Sequence, residues 1–103
     1  MRKGEIWWAR LPPPAGRRPV LLLSRNEAYS VRTAVTIAPM TTTVRGIPVE
    51  VPLGESDGLP RPCAVNLDSI QTIPLSFLET RLAHLSPAKM EDVRRALFFA
   101  LDL

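Results

Sequence analysis

Arg17-Arg18-Pro19-Val20-Leu21-Leu22-Leu23-Ser24 is the stretch on which the fold class turns. Pro19 to Ser24 is a short continuous apolar run, too brief for a buried helix and suited to a strand covered on both faces. The segment before it, Pro12-Pro13-Pro14-Ala15-Gly16-Arg17-Arg18, reads as a loop, because three prolines and a glycine forbid regular structure. Upstream, Gly4 to Leu11 is rich in aromatic and β-branched residues and reads as a strand. Downstream, Asn26 to Arg32 is a polar turn or short helical excursion. Ala34 to Met40 is a further strand, with Pro39 marking an edge position or the point where pairing stops. It leads directly into Thr41-Thr42-Thr43.

Gly46 to Leu53 alternates and reads as an edge strand, since it carries two prolines. Gly54 to Pro62 is a turn-rich loop. The last strand signals fall between Cys63 and Ile73, around Ala64-Val65-Asn66-Leu67 and Gln71-Thr72-Ile73. The period then changes. Ser86-Pro87 is a helix start, with a capping hydroxyl and a proline at the first helical position. Met90, Val93, Leu97 and Leu101 follow at spacings of three and four, so a helix is expected from about 87 to about 101. Phe98 and Phe99 lie off this stripe and either close the core or enter a dimer interface. The sum is a mainly β fold of five or more short, mostly antiparallel strands with a C-terminal helix, a small barrel or sandwich, in a single domain over 1–103.

Composition narrows the function. The chain is 46% hydrophobic and 22% charged, which is globular and not disordered. At 103 residues it buries a modest core, so dimerisation is a source of extra buried surface. One cysteine permits no internal disulfide, and no apolar leader or membrane-length run is present, so a cytoplasmic protein is expected. Residues 1–50 carry a balance of +5 and residues 51–103 one of −2, and eleven of the thirteen basic residues are Arg. Arg donates bidentate hydrogen bonds to phosphate and keeps its proton, so a polyanionic partner fits the N-terminal half; solubility alone is the competing account.

The candidate chemistry is bounded by what is missing. One histidine, His84, in an apolar setting before the helix, excludes a His–His acid/base pair and reads as structural. One Cys and one His make no zinc site, and the scattered acidic residues offer no paired metal carboxylates. Cys63 has no evident activating base and reads as a packed small side chain. No Gly-rich phosphate loop is present. Arg and Thr remain. Arg18 stands immediately before a buried strand, which would fix its backbone, and Thr41 ends another strand. If those strands are neighbours, a guanidinium and a hydroxyl meet at one rim of the sheet. Such a pair suits RNA cleavage, where the 2′-OH is the nucleophile and the protein stabilises charge on the phosphorane oxygens. Arg is a poor base, with a pKa above about 12, and is expected to stabilise charge and to donate to the leaving oxygen. Arg and Thr at strand ends are common, so the pair alone does not decide the function.

The order of the segments adds to this. Arg2-Lys3-Gly4-Glu5-Ile6-Trp7-Trp8, Gly16 to Ser24, Val35-Thr36-Ile37-Ala38-Pro39-Met40-Thr41, Ala64 to Ile73, and Arg81-Leu82 with Leu85 to Met90 resemble the MazF/PemK family of toxin endoribonucleases. The resemblance covers nearly the whole chain. It implies an SH3-like barrel with a C-terminal helix, working as a homodimer. It further implies metal-independent cutting of single-stranded RNA at short sequences, leaving a 2′,3′-cyclic phosphate and a 5′-hydroxyl, with no cofactor. Arg18 and Thr41 match the family's catalytic arginine and threonine. Cys63 stands where the family usually has Ser. Arg17, Arg10 and Arg45 are candidate phosphate contacts and Trp8 a candidate stacking face. Thr42, Asn66 and Gln71 are candidate base readers. At most one of the two tryptophans is expected to be exposed, because a strand alternates faces. A toxin implies an antitoxin, here a MazE-like protein whose acidic, disordered segment lies across the basic groove. Two rival readings are a gyrase-poisoning toxin of the CcdB kind and a non-catalytic RNA-binding domain on the same barrel. The tryptophan-containing tail of the CcdB family has no counterpart in Ala100-Leu101-Asp102-Leu103.

Overall fold

The computed structural model describes residues 1–103. Seven strands are followed by one helix: β1 Glu5–Arg10, β2 Arg17–Leu22, β3 Ala34–Thr41, β4 Glu50–Leu53, β5 Cys63–Asn66, β6 Gln71–Pro74, β7 Leu78–His84 and α1 Pro87–Leu101. All pairings are antiparallel, in the order β4-β5-β3-β2-β1-β7, with β6 also on β3. The mainly β architecture with a terminal helix is as expected. No ladder joins β4 to β7, so the sheet is a bent antiparallel sheet and not a ring closed by hydrogen bonds.

β2 is the strand covered on both faces that its apolar run predicts. Leu21 enters one core cluster with Ile6, Ala38, Met40 and Val65, against which Val93 and Ala96 of α1 pack. Val20 and Leu22 enter a second with Ala9, Val35, Ile37 and Ile73. β2 begins at Arg17 and not after Arg18, because Arg17 and Arg18 are drawn into the ladder opposite Arg10 and Ala9 of β1.

Pro39 is not at an edge: β3 lies between β2 and the pair β5 and β6. One side of β3 pairs with β6 at Ala34–Ile37 and with β5 at Met40–Thr41. The residue lacking an N–H falls at the handover, where neither partner needs it. The fourth strand is shorter than its alternation suggests. The Glu50 N–H donates to the Ile47 carbonyl, so Gly46 to Val49 turns before the ladder starts.

β7 is the strand that pattern reading misses. Its sequence, Leu78-Glu79-Thr80-Arg81-Leu82-Ala83-His84, has no continuous apolar face, and it pairs with β1 through two register shifts. Charged side chains of this kind protect an edge strand from further pairing. Gly58, at φ +90°, lets the 54–62 loop lie close to this strand: a Cβ there would stand 3.2 Å from that of Ala83.

The helix starts as expected, with the Ser86 hydroxyl accepting from the Lys89 N–H at 3.2 Å. Val93 is buried, and Met90 and Leu97 are partly buried against the core. Leu101 is turned out to solvent, and Ala96 takes the inward place. Phe98 and Phe99 do not close the core; they are 43% and 62% exposed.

Candidate active site

The β2–β3 pairing brings the start of β2 to the end of β3, so Arg18 and Thr41 arrive at one rim of the sheet. A cavity of about 550 Å³ opens there. Its polar lining is three arginines, Arg17, Arg18 and Arg61, and three threonines, Thr41, Thr42 and Thr43, with no carboxylate among them. Trp8 and Cys63 form part of the wall.

Arg18 is held from behind. Its Nε and Nη2 donate to the Ala15 carbonyl at 3.1 and 2.9 Å, and Nη1 reaches the Met40 carbonyl at 3.5 Å. The proline loop therefore supplies the acceptor that fixes the guanidinium plane, and the planar fork matches a phosphoryl group better than a point charge would. Thr41 Oγ1 accepts from the Thr43 N–H at 3.1 Å, which orients the hydroxyl and leaves its proton to donate. The segment behind it is tied down by buried Glu50, whose Oε1 accepts from the Arg45 and Gly46 amides at 2.8 and 3.2 Å.

Arg17 lies flat on Trp8, its guanidinium carbon 4.3 Å from the ring centroid. Glu79 sets this pose: its Oε1 accepts from Arg17 Nε at 2.7 Å, and its Oε2 accepts from Arg10 Nη2 at 3.0 Å. The Arg17 hydrogen bond, with that from Arg10 behind it, holds the Glu79 carboxyl below the usual range. Cys63 is nearly buried, and burial, followed by the charge of Asp57, pushes its thiol up. A thiol so placed stays protonated and acts as packing, not as a nucleophile.

Of the residues singled out from sequence, Arg17, Arg18, Thr41, Thr42 and Trp8 share the cavity. Arg10, Arg45, Asn66 and Gln71 do not line it. Arg10 is paired with Glu79 and Arg45 stands beside Glu50. Asn66 accepts from the Asp68 N–H and so caps a turn. Gln71 sits opposite Ile37, away from the rim. Both tryptophans are half-buried, within the expectation that at most one is exposed. Trp7 packs on the second core cluster with its indole N–H donated to Glu5. Sequence reasoning missed Arg61, Thr43 and Glu79. Arg61 had a signal: it is bracketed by Pro60 and Pro62, as Arg18 is followed by Pro19. No three His, Cys, Asp or Glu side chains come together as a metal set.

The model of the PemK-like, MazF-like toxins of type II toxin–antitoxin systems matches residues 2–101. The chain belongs to this family. Among similar proteins is the probable endoribonuclease MazF5 of Mycobacterium tuberculosis, 42% identical over 101 residues, 97% of this chain and 92% of that protein. The structure of the Mycobacterium tuberculosis toxin MazF-mt6 superposes with a TM-score of 0.89 at 38% identity, covering 96% of this chain and 97% of that one. A mycobacterial endoribonuclease in complex with its cognate antitoxin also superposes at 0.89, with 33% identity, covering 100% and 96%. Among family members, the shared rim of β2 and β3 is thus a feature of the common fold, and its lining in this chain is the arginine–threonine set above.

Proposed function

We propose that this chain is a metal-independent endoribonuclease toxin that cuts single-stranded RNA at preferred short sequences. The observation that carries the reading is the convergence of Arg18, Arg61 and the Thr41 hydroxyl in one cavity whose lining has no carboxylate. In such a site the 2′-OH attacks the adjacent phosphorus and forms a pentacoordinate phosphorane, its proton passing to a non-bridging phosphoryl oxygen and from there to the 5′ oxygen as the P–O5′ bond breaks. Arg18 and Thr41 donate to its non-bridging oxygens, and Arg18 donates to the departing 5′ oxygen, which leaves as a hydroxyl. The products are a 2′,3′-cyclic phosphate and a 5′-hydroxyl. Arg17 on Trp8 forms the wall against which an unpaired base would stack, and Thr42 is a hydrogen-bonding group for a base edge. The unit of function is a single domain over 1–103.

The test is incubation of purified protein with single-stranded RNA in EDTA. Thr41→Val keeps the side-chain shape and removes the hydroxyl; it is expected to lower kcat about 100-fold with little change in KM. Intact RNA together with inhibited supercoiling by gyrase would overturn the reading.

No helix of the chain is long and apolar enough to cross a membrane. The proposed setting is the cytoplasm, with an acidic, disordered antitoxin segment as inhibitor laid across the arginine-lined rim. The proposed assembly is a homodimer. Exposed Phe98, Phe99 and Leu101 at the end of α1 support it, since three adjacent apolar side chains in water are an association surface. Phe99→Glu is expected to move the sedimentation coefficient from dimer to monomer, and a wild-type chain that sediments as a monomer at micromolar concentration removes this part of the proposal.

A further inference from the structure

Six of the eleven arginines have a carboxylate within ion-pair distance: Arg10, Arg17, Arg45, Arg81, Arg94 and Arg95. Of the other five, Arg2 lies at the N-terminus and four line two cavities. Arg18 and Arg61 line the cavity already described. Arg25 and Arg32 line a second, smaller one of about 120 Å³, together with Ser24, Thr36 and Thr72. Its remaining lining is Ala28 and Ala34, so this pocket contains two arginines, three hydroxyls and, like the first, no carboxylate.

The hydrogen bonding inside the pocket leaves donors and few acceptors. The Ser24 hydroxyl oxygen accepts from the Thr36 N–H at 2.9 Å, which leaves its own proton to give away. Thr36 and Thr72 share one hydrogen bond between their hydroxyls at 3.1 Å. One of the two protons is spent in that bond and the other is unused. Two hydroxyl protons are therefore unspent, and two exposed arginines share the lining of the same small volume. Two like charges brought together without a counter-charge repel, and the arrangement becomes favourable when a tetrahedral oxyanion sits between them.

The pocket is not an extension of the cleavage cavity. Thr36 and Thr41 stand five residues apart on β3, roughly 17 Å at the ~3.3 Å rise of a strand. An odd separation also sets their side chains on opposite faces of the strand.

The geometry points to a second phosphate-binding site, formed by Arg25, Arg32, Ser24, Thr36 and Thr72, remote from the cleavage cavity. The group bound is a phosphate, carried either by the backbone of a polynucleotide or by a free phosphate or mononucleotide. Only the polynucleotide source rests on the ribonuclease reading.

The experiment follows the arginine side-chain N–H and backbone amide signals of the full chain by NMR as inorganic phosphate is added, with ionic strength held constant by chloride. Saturable shifts at Arg25, Arg32 and Thr36 are expected, and they should vanish in an R25Q/R32Q variant. Thr72→Val keeps both charges and, at an exposed position, the fold; it is expected to weaken phosphate binding at least threefold. This separates a built pocket from bulk positive charge. A second arm measures binding of an all-2′-O-methyl RNA oligomer, which cannot be cut, as a function of salt. A slope of log K against log salt reduced by about 0.7 in R25Q/R32Q assigns the site to one backbone phosphate of single-stranded RNA. An unchanged slope beside saturable phosphate binding assigns it to a free phosphate or mononucleotide. Phosphate binding is read without catalysis, so loss of the ribonuclease reading would leave that result standing. Absence of a saturable shift with either probe, or an equal response to chloride, overturns the site.

Discussion

Replacing Arg18 by Ala is expected to lower kcat/KM for RNA cleavage about 1,000-fold, close to 4 kcal/mol of transition-state stabilisation. The fall should lie in kcat, because the guanidinium is aimed at charge that develops during the reaction and the ground-state phosphate retains Arg17 and Arg61. Folding should be unaffected, since the side chain is half-buried at the rim and contacts backbone carbonyls, not the core. Arg18→Lys is expected to recover less than about tenfold. An ammonium cannot satisfy the Ala15 carbonyl with two parallel N–H groups and still present a planar edge to the phosphorane. Steady-state cleavage in EDTA, with melting temperature as the control for folding, checks both variants. An R18A protein within tenfold of wild type would remove Arg18 from the mechanism.

This juxtaposition was legible in the chain because it depends on two strand ends and one pairing. Arg18 precedes an apolar run that is buried on both faces, and Thr41 closes a run whose partner is the same sheet. Local signals of that kind survive into three dimensions, as does the Ser86-Pro87 start of α1, whose cap is made within three residues. β7 was not legible. Its pairing with β1 is joined across about seventy residues of chain, and Glu79, Arg81 and His84 interrupt any apolar face. With β7 unseen, Glu79 was unseen too, and so was the reason that Arg10 and Arg17 share one carboxylate. Asn66 and Gln71 fail as base readers for a different reason. Residue type nominated them, but Asn66 spends its side-chain oxygen on a turn, and Gln71 lies opposite Ile37, midway along β3 and four residues short of Thr41. Type without topology cannot say where along a sheet a side chain stands. The unmatched arginines are a further case: sequence counts show an excess of positive charge, and only the fold shows which of those charges have met a carboxylate.

The largest stability change is expected at Glu5, a buried carboxylate on β1. Its Oε1 accepts from the Arg2 amide at 3.1 Å and from the Trp7 indole N–H at 2.9 Å, and its Oε2 accepts from Arg81 at 3.3 Å. Glu5→Ala strands the first two donors and is expected to cost about 3 kcal/mol, near 15 °C in melting temperature. The Arg81 contact adds little, because that side chain is 60% exposed and its charge is screened. Burial alone pushes the Glu5 carboxyl up, but the bonds from Trp7, Arg2 and Arg81 outweigh it, and the net pKa lies below 4.5. A lowered folded pKa means that the carboxylate stabilises the fold above its unfolded value. That stability is lost as pH falls from about 4.5 through the folded value. Wild type should therefore lose stability on acidification below pH 4.5 more steeply than Glu5→Gln, which has no charge to lose. Thermal denaturation followed by circular dichroism between pH 3 and pH 7 checks the sign, and equal acid limbs in the two proteins would contradict it. The effect should extend to the cavity wall. Glu5 fixes Trp7 against the second core cluster, and Trp8, its neighbour on β1, then carries Arg17 at the rim. Glu5→Gln, which folds at neutral pH and can still accept from Trp7, should keep RNA binding near the wild-type level.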